Sequence, residues 1–380
     1  MIFLVTEDWY FLSHRLPMAL AAQRAGFEVH VATHVVSGGP AIESHGFRLH
    51  PLNWRRGSTN PATVFTIIRE VRGLYRRLAP DLVHHVALQP AIIGSLAALG
   101  LDMVCLNAVA GLGFVFTSRT VRARSTSTMM KFLIRALFGR DRAAVLVQNP
   151  DDRAVMEQLG IGPHRIFLIR GSGVDTELLK PLAEPTGPLA AAFVGRLLDD
   201  KGLRTLVAAH EILNRRGRSV ELIIAGEPDP ANPASIPDEE IQAWTRRPGI
   251  KMLGQVSDIC DVWTRAHIAV LPSRREGLPK SLLEAAACGR PIVATDVPGC
   301  REIALHDENA LLVPVDDPPA LADAIDRLAK NAELRSRLGA SGRRLVEAEF
   351  SAARIGQETV ALYTRLLNAT APLRARATCG

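Results

Sequence analysis

The stretch from Leu271 to Ile303, LPSRREGLPKSLLEAAACGRPIVATDVPGCREI, restricts the possible folds more than any other part of the chain. The runs IAVLP and PIVAT are short, apolar and bounded by Pro or Gly, which is typical of buried parallel strands. Between them, SLLEAAA is rich in good helix formers, and Pro279 and Gly289 mark its two ends. The stretch therefore predicts a strand, a loop, a helix and a second strand. The loop Arg274–Lys280 is expected at the carboxyl end of a parallel strand, where open α/β sheets bind ligands.

This loop and the helix after it carry two carboxylates, Glu276 and Glu284, with seven residues between them. Carboxylates only accept hydrogen bonds, so the pair suits a ligand with many hydroxyl groups, such as a sugar or a ribose. Gly277 lets the backbone approach a ligand closely, and the free N–H groups at the start of the helix favour an anion. On spacing alone, a solvated loop followed by a surface Glu284 is an equally good interpretation.

The same stretch resembles the donor-site signature of the family 4 retaining glycosyltransferases of the GT-B fold, E-x7-E followed by GRPIVATDVPGCREI. The resemblance implies that Glu276 contacts the donor sugar and that Glu284 holds the ribose of the nucleotide. It also implies that the backbone of Gly277, Leu278 and Pro279 borders the sugar.

A second motif opens the C-terminal half, where the predicted strand AAFVG is followed by Arg196, Lys201 and a helix. Two cations beside a helix N-terminus can clamp a diphosphate, although surface salt-bridge residues would give the same pattern. The resemblance extends to this GR…KG motif and implies that Arg196 and Lys201 anchor the donor diphosphate. Gly226, at the end of the next predicted strand, is expected beside the donor as well.

The first half begins with the predicted strand IFLVT, a loop containing Trp9, Tyr10 and His14, and a helix. No G-x-G-x-x-G follows the strand, so the fingerprint of nicotinamide enzymes is missing. Aromatic side chains at this edge suit a sugar or a lipid, or they pack the rim of the domain. The phrase DWYFLSHRLPMA resembles the bacterial polysaccharide branch of the same family and places these residues on the acceptor side.

Three further residues are expected at the same edge of the first domain. The predicted strand DLVHH ends in His84 and His85, and family members carry a histidine here that faces the donor. We therefore name His84 as a candidate catalytic residue, against the alternative of a histidine in the core. Gly111 and Gly113 interrupt an apolar run and predict a loop on the acceptor side.

Charge is divided unequally, because residues 1–172 hold 19 Lys and Arg against 11 Asp and Glu, and the remainder is nearly balanced. The basic half should face something anionic. Aromatic residues make up only 5% of the chain, which argues against a stacking surface for nucleic acid. MMKFLIRALF, within a basic segment from Arg119 to Arg142, predicts either an interfacial membrane helix or a core helix with a solvated basic side.

The 380 residues predict two domains. We expect an acceptor-binding domain at 1–172, a linker at 173–188, a donor domain at 189–350, and a helix and tail at 351–380 that cross back to the first domain. Five scattered cysteines without C-x-x-C fit a reducing cytosol, and no apolar stretch is long enough to span a bilayer. The run MIFLV, followed by acids, predicts a first strand and not a signal segment.

Together these features predict two doubly wound α/β domains facing across a cleft in a GT-B arrangement. The predicted enzyme is a retaining glycosyltransferase that moves a sugar, most simply from a UDP-sugar, to a lipid-linked or oligosaccharide acceptor at the inner face of the cytoplasmic membrane. No D-x-D occurs, so we expect no metal and no cofactor. Two alternatives remain: a nucleotide-sugar epimerase on the same scaffold, and a non-catalytic membrane protein that binds a nucleotide sugar.

Overall fold

The computed structural model describes residues 1–54, 60–109, 121–230 and 232–377, and for 121–128 and 370–377 it describes the backbone alone. The chain forms two compact units. The first comprises residues 1–172 and the C-terminal segment from 352, and the second comprises residues 173–351.

The first unit is built on a seven-stranded parallel sheet of order β3-β2-β1-β4-β5-β6-β7. Its strands are β1 (Ile2–Glu7), β2 (His30–His34), β3 (Arg48–Pro51), β4 (Leu82–Val86), β5 (Val104–Ala108), β6 (Ala143–Val147) and β7 (Ile166–Leu168). Its helices before the second unit are α1 (Asp8–His14), α2 (Leu16–Arg24), α3 (Gly39–Ser44), α4 (Pro61–Leu78), α5 (Leu88–Ala97), α6 (Val121–Phe138) and α7 (Pro150–Gln158).

The second unit has a six-stranded parallel sheet of order β10-β9-β8-β11-β12-β13. Its strands are β8 (Ala190–Val194), β9 (Glu221–Ala225), β10 (Ile250–Gly254), β11 (Ile268–Leu271), β12 (Ile292–Thr295) and β13 (Ala310–Val313). Its helices are α8 (Leu203–Arg215), α9 (Asp238–Thr245), α10 (Cys260–Trp263), α11 (Lys280–Ala287), α12 (Pro298–Arg301), α13 (Pro318–Ala329) and α14 (Ala332–Glu349). A last helix, α15 (Ala352–Ala377), belongs to the first unit.

Both sheets are covered on their two faces, which is why the predicted strands were short apolar runs and not alternating ones. Strands β6, β11 and β12 are buried along their whole length. The prediction of two doubly wound α/β units is therefore confirmed. In each sheet the strand order reverses beside the first strand, between β1 and β4 and between β8 and β11. The carboxyl ends of those strands border the crevice where doubly wound sheets bind ligands.

The segment after β1 is helical, whereas the sequence predicted a loop. Asp8, the first residue of α1, is fully buried, and its carboxylate accepts N–H bonds from Trp9 (2.7 Å), Val36 (2.8 Å), Ser37 (3.0 Å) and Gly38 (2.6 Å). Burial raises the pKa of Asp8, but the four N–H groups outweigh it and hold the pKa below its ordinary value. The carboxylate thus joins the start of α1 to the loop after β2.

Residues 173–188, predicted as a linker, pack on the second unit. Val174 N donates to Phe350 O (2.9 Å), and Leu182 N donates to Cys288 O (3.0 Å). The Arg343 guanidinium donates to the carbonyls of Thr176 (2.9 Å) and Leu179. Because its backbone is bonded at several points, this segment is part of the second unit.

Helix α15 packs on α2 and places Tyr363 in the core of the first unit, with no exposed surface. Among the residues that the structure describes, no helix is long and apolar enough to cross a membrane.

Candidate active site

The carboxyl edge of the second sheet brings the two predicted motifs together. Arg196 lies two residues after the end of β8, and a 3-10 turn, Asp199–Lys201, comes next. Gly202 closes this turn with a φ of +70°, and a side chain at that position would collide with the carbonyl of Pro272 at the end of β11. Only glycine allows the turn to lie this close to the neighbouring strand, so Lys201 is carried to the loop that contains Glu276.

The Lys201 ammonium contacts the Glu276 carboxylate, with 2.6 Å between Nζ and Oε1. Ser273 Oγ donates to the same oxygen at 2.6 Å. Among the described residues nothing donates to Glu276 Oε2, so this oxygen is available to a ligand hydroxyl. Both side chains are largely buried, and their relative exposures are 22% for Lys201 and 9% for Glu276. The Lys201 ammonium and the Glu276 carboxylate therefore lie side by side at the carboxyl edge of the sheet.

A chain of ion pairs fixes the turn 199–201 against the loop 273–279. Arg274 Nη1 donates to Asp199 Oδ2 (2.5 Å), and Arg274 Nε reaches both oxygens of Asp316 (2.9 Å each). The backbone N–H of Arg274 donates to Asp200 O at 2.8 Å. The separation of Lys201 and Glu276 thus depends on contacts that the sequence motifs did not reveal.

Arg196 is also paired. Its Nη1 lies 2.6 Å from Asp229 Oδ2, and the arginine side chain is 40% exposed. Asp229 lies in the segment after β9, where its backbone N–H donates to Ser235 Oγ (2.9 Å). One carboxylate occupies one nitrogen of a guanidinium that has five N–H donors, so the remaining donors can bind an anion.

Glu284 lies on α11, just over one turn from its start, and its Oε1 is 3.1 Å from the Lys280 ammonium. Burial raises the pKa of Glu284, and the nearby Lys280 opposes the shift. Gly277, Leu278 and Pro279 form the approach to this helix, with extended backbone at Pro279. Gly226 directly follows β9, and its N–H donates to Gly254 O at 2.7 Å.

The raised pKa of Glu284 gives an expected result for Glu284→Gln. The folded chain holds a proton on Glu284 more readily than the unfolded chain does, so the ionised form opposes folding above the folded-state pKa. We expect the variant to melt at a higher temperature at pH 7. This gain should fade as the pH falls through the folded-state pKa and disappear below the ordinary value. Melting curves at pH 7 and pH 4 measure this, and a lower melting temperature at pH 7 would contradict it.

The first unit places its predicted edge residues on α1. Trp9 is 42% exposed, and Tyr10 stacks on His14 with 4.3 Å between the ring centroids. Ser13 Oγ lies 2.6 Å from His14 Nδ1. These side chains follow β1 at its carboxyl end, as predicted, although they lie on a helix. Gly111 and Gly113 lie outside the described residues.

The predicted position of His84 at the edge of the sheet is wrong. His84 lies inside β4 with no exposed surface, and its Nδ1 is 2.6 Å from Tyr363 Oη of α15. Its pKa is well below the ordinary value because of burial, with smaller effects of Arg15 and His85. His85 is equally buried, between Tyr75 Oη (2.9 Å) and Asn107 Oδ1 (2.8 Å). The strand continues to Val86, so both histidines lie within it and not at its end.

The sequence-based interpretation missed four residues: Asp8 at the edge of the first sheet, and Asp229, Ser273 and Arg274 at the edge of the second. The sequence contained a signal only for Ser273 and Arg274, which lie in or beside the predicted loop. Asp8 and Asp229 bond to residues 28 and 33 positions away in the sequence, and no local sequence pattern indicates such pairs.

Comparisons with known proteins identify the class. Residues 189–331 match the family model described as glycosyl transferases group 1, and residues 1–149 match the model described as glycosyl transferase 4-like. The chain therefore belongs to the glycosyltransferases, and the predicted enzyme class is confirmed.

Several proteins resemble the chain. The capsular polysaccharide biosynthesis glycosyltransferase CapM of Staphylococcus aureus is 30% identical over 175 residues, which is 46% of each chain, so the alignment spans less than half of CapM. The putative glycosyltransferase EpsD of Bacillus subtilis is 26% identical over 97% of each chain. The N,N'-diacetylbacillosaminyl-diphospho-undecaprenol alpha-1,3-N-acetylgalactosaminyltransferase of Campylobacter jejuni is 23% identical over 94% of this chain and 98% of its own.

Solved structures show the same GT-B fold. Sucrose-phosphate synthase from Thermosynechococcus elongatus superposes with a TM-score of 0.82 at 22% identity, covering 97% of this chain and 99% of its own. HepE from Anabaena, in complex with UDP-glucose, superposes with a TM-score of 0.74 at 16% identity, covering 96% and 99%.

Proposed function

We propose that this glycosyltransferase moves a sugar from a nucleotide sugar, most simply a UDP-sugar, to a lipid-linked saccharide with retention of anomeric configuration. The observation that carries the proposal is the contact between Lys201 and Glu276 at the point where the strand order reverses. The proposed process is the synthesis of a bacterial surface polysaccharide or related glycan, the setting that the name of CapM gives for that protein.

In the proposed reaction the bond between the anomeric carbon and the diphosphate breaks, and its electron pair leaves with the diphosphate. Arg196 and Lys201 stabilise the charge that develops there, because fixed cations need no reorganisation as the bond breaks. Glu276 Oε2 orients the sugar through a hydroxyl, and Glu284 accepts from the ribose. The acceptor hydroxyl attacks the anomeric carbon from the face that the diphosphate leaves, and its proton passes to the leaving phosphate. No carboxylate nucleophile and no metal ion is needed in this scheme.

Two findings support the donor and the acceptor. The structural neighbour HepE was solved with UDP-glucose, and the Campylobacter jejuni relative is named for an acceptor linked to diphospho-undecaprenol. A site with two cations and two carboxylates has groups for the diphosphate and for the hydroxyls of a donor of this kind.

The exposed side chains of α6 support the proposal that this helix binds an anionic membrane surface. Met129 is 65% exposed and Phe132 is 73% exposed, one turn apart, while Ile134 and Phe138 on the other side are buried in the core. Lys131 and Arg135 are exposed beside them. Apolar side chains flanked by cations are the chemistry of an interfacial helix. Arg119 lies outside the described residues, and Arg122 and Arg124 are described only by their backbone.

The reaction is tested by incubating the protein with UDP-sugars and a lipid-linked saccharide and determining the anomeric configuration of the product by NMR. An α-linked product from an α-linked donor, formed at an unchanged rate in EDTA, is the expected result. An inverted product contradicts retention, and loss of the activity in EDTA contradicts the metal-independent scheme.

Membrane binding is tested with the variant Lys131→Gln/Arg135→Gln. Each cation near anionic lipid contributes about 1 kcal/mol, so the double variant should bind anionic vesicles about 30-fold more weakly at low salt. Vesicle sedimentation measures this. The matched control is Arg215→Gln/Arg216→Gln, which removes the same charge from exposed positions at the end of α8. Equal binding by the two variants would mean that α6 is a core helix with a solvated basic side.

A further inference from the structure

A cavity of about 440 Å³ lies in the second unit, away from the edge that carries Lys201 and Glu276. It is bordered by His267 and Pro291, which precede β11 and β12, and therefore opens at the amino edge of the sheet. The other walls are the segment 181–184 and one side of α14. The volume suits a small molecule, since ligand pockets usually measure about 300 to 1,000 Å³.

Four arginines line this cavity, Arg290, Arg335, Arg343 and Arg344, together with a single carboxylate, Glu184. The first three are 3%, 8% and 8% exposed. Guanidinium groups are buried this deeply only when they are well bonded, because removing a charge from water is costly. Each of these three guanidinium groups should therefore have hydrogen-bond or ion-pair partners.

Backbone carbonyls satisfy part of each buried group. Arg290 donates from Nε to Trp263 O (2.8 Å) and from Nη2 to Ala183 O (2.7 Å). Arg335 donates from Nη1 to Leu328 O (2.7 Å), and its Nε pairs with Glu184. The bonds to Ala183 and Glu184 hold the segment 173–188 on the second unit, which is a structural role.

The structural role leaves donors unused. Arg290 Nη1 and Arg335 Nη2 donate to no residue that the structure describes. Neither nitrogen is both unbonded and fully enclosed by protein, so a ligand can reach them. Arg290 and Arg335 are 3% and 8% exposed as whole residues and both line the cavity, so its open space is where these nitrogens can meet a ligand. Arg344, exposed at the mouth, has no partner among the described residues.

Charge in the cavity is not balanced. Glu184 pairs with Arg335 and Glu347 with Arg343 (2.6 Å), and among the described residues neither Arg290 nor Arg344 forms an ion pair. A histidine side chain carries no negative charge, so His267 supplies no counter-charge. Its Nδ1 lies 3.1 Å from Ala190 N, and its Nε2 lies 3.1 Å from Pro185 O. Burial also lowers the pKa of the Arg290 guanidinium, and the nearby Cys288 and Glu184 offset this only in part.

We propose that this cavity binds a phosphate-bearing small molecule, with the phosphate held by the free nitrogens of Arg290 and Arg335 and by Arg344. Guanidinium forks match the geometry and charge of a phosphate, and a phosphate accepts several N–H donors at once. The site is separate from the proposed diphosphate clamp, because the two lie at opposite ends of the same parallel strands.

The test is isothermal titration calorimetry on the full chain carrying Arg196→Ala and Lys201→Ala, which removes the clamp as a competing anion site. Inorganic phosphate and glucose 1-phosphate are titrated separately. We expect saturable one-to-one binding of at least one of them, with a Kd below about 1 mM. Equal affinity would identify the phosphate alone as the ligand, and tighter binding of the ester would identify a sugar phosphate.

The decisive variant in this background is Arg344→Glu, since this exposed side chain holds no part of the fold. It should weaken binding by about tenfold or more, because it replaces a charge-assisted contact by a repulsive one. The matched control is Arg337→Glu on the same helix, whose guanidinium donates to Asp307 O (3.1 Å) and does not line the cavity. The proposal is overturned if neither phosphate binds, or if the two variants bind with the same affinity.

Discussion

Replacing either cation of the proposed diphosphate clamp, by Lys201→Ala or Arg196→Ala, should lower kcat by about 10² to 10³-fold, as for the loss of one fixed donor to a developing oxyanion. Both cations face the edge where the strand order reverses, and each contacts a carboxylate at 2.6 Å. The charge on the leaving diphosphate grows as the bond breaks, so the loss should be larger in kcat than in donor affinity. Initial rates over a range of donor concentrations separate the two.

A matched variant controls for the loss of one surface cation. Arg216→Gln breaks an ion pair of similar length, 2.5 Å to Asp323, on the outer surface of the second unit. We expect its kcat to equal that of the unaltered protein. Turnover near normal in both Lys201→Ala and Arg196→Ala would exclude the clamp, whatever the outcome at the phosphate cavity.

The amino-acid sequence was sufficient for the fold class of the two units and for the sheet edge at which the predicted residues of the second unit lie. Most of the parallel strands are continuous apolar runs between Gly and Pro, so they are visible locally, whereas β3, with the sequence RLHP, is exposed at both ends and was not predicted. Once the strands are placed, the loops after β8 and β11 must meet at one edge. The amino-acid sequence alone therefore predicts that Arg196, Lys201 and Glu276 lie at the same edge of the second sheet.

What the sequence could not supply depends on contacts between distant positions. His84 was expected at the sheet edge, but Tyr363, 279 residues further on, covers it. The segment 173–188 has the composition of a linker, yet Arg335 and Arg343 bind it from α14. The helix at Asp8 depends on N–H groups from the loop after β2. Each case is a tertiary contact that overrides a local preference.

Gly299 provides the second large effect, and it tests the geometry of the loop without removing any charge. This residue lies in α12, within the DVPG part of the motif, where its role was not evident from the sequence. A Cβ there would collide with the carbonyl of Glu276 and come within 2.5 Å of the carbonyl of Gly277. Both obstacles are backbone, which cannot rotate away as a side chain can.

The variant Gly299→Ala should therefore displace the loop that carries Glu276. Overpacking of this kind costs about 1 to 3 kcal/mol of stability, and a shift of about 1 Å at a catalytic group can cost about 10²-fold in rate. We expect kcat to fall much further than the folded fraction at the assay temperature, as measured by steady-state rates and thermal melting of the same samples. The matched control is Gly73→Ala on α4, where an added Cβ meets nothing within 4 Å and should stabilise the helix slightly. If Gly299→Ala retained normal turnover, the backbone of Glu276 would have to yield at no cost, and the fixed separation of Lys201 and Glu276 could not be part of the mechanism.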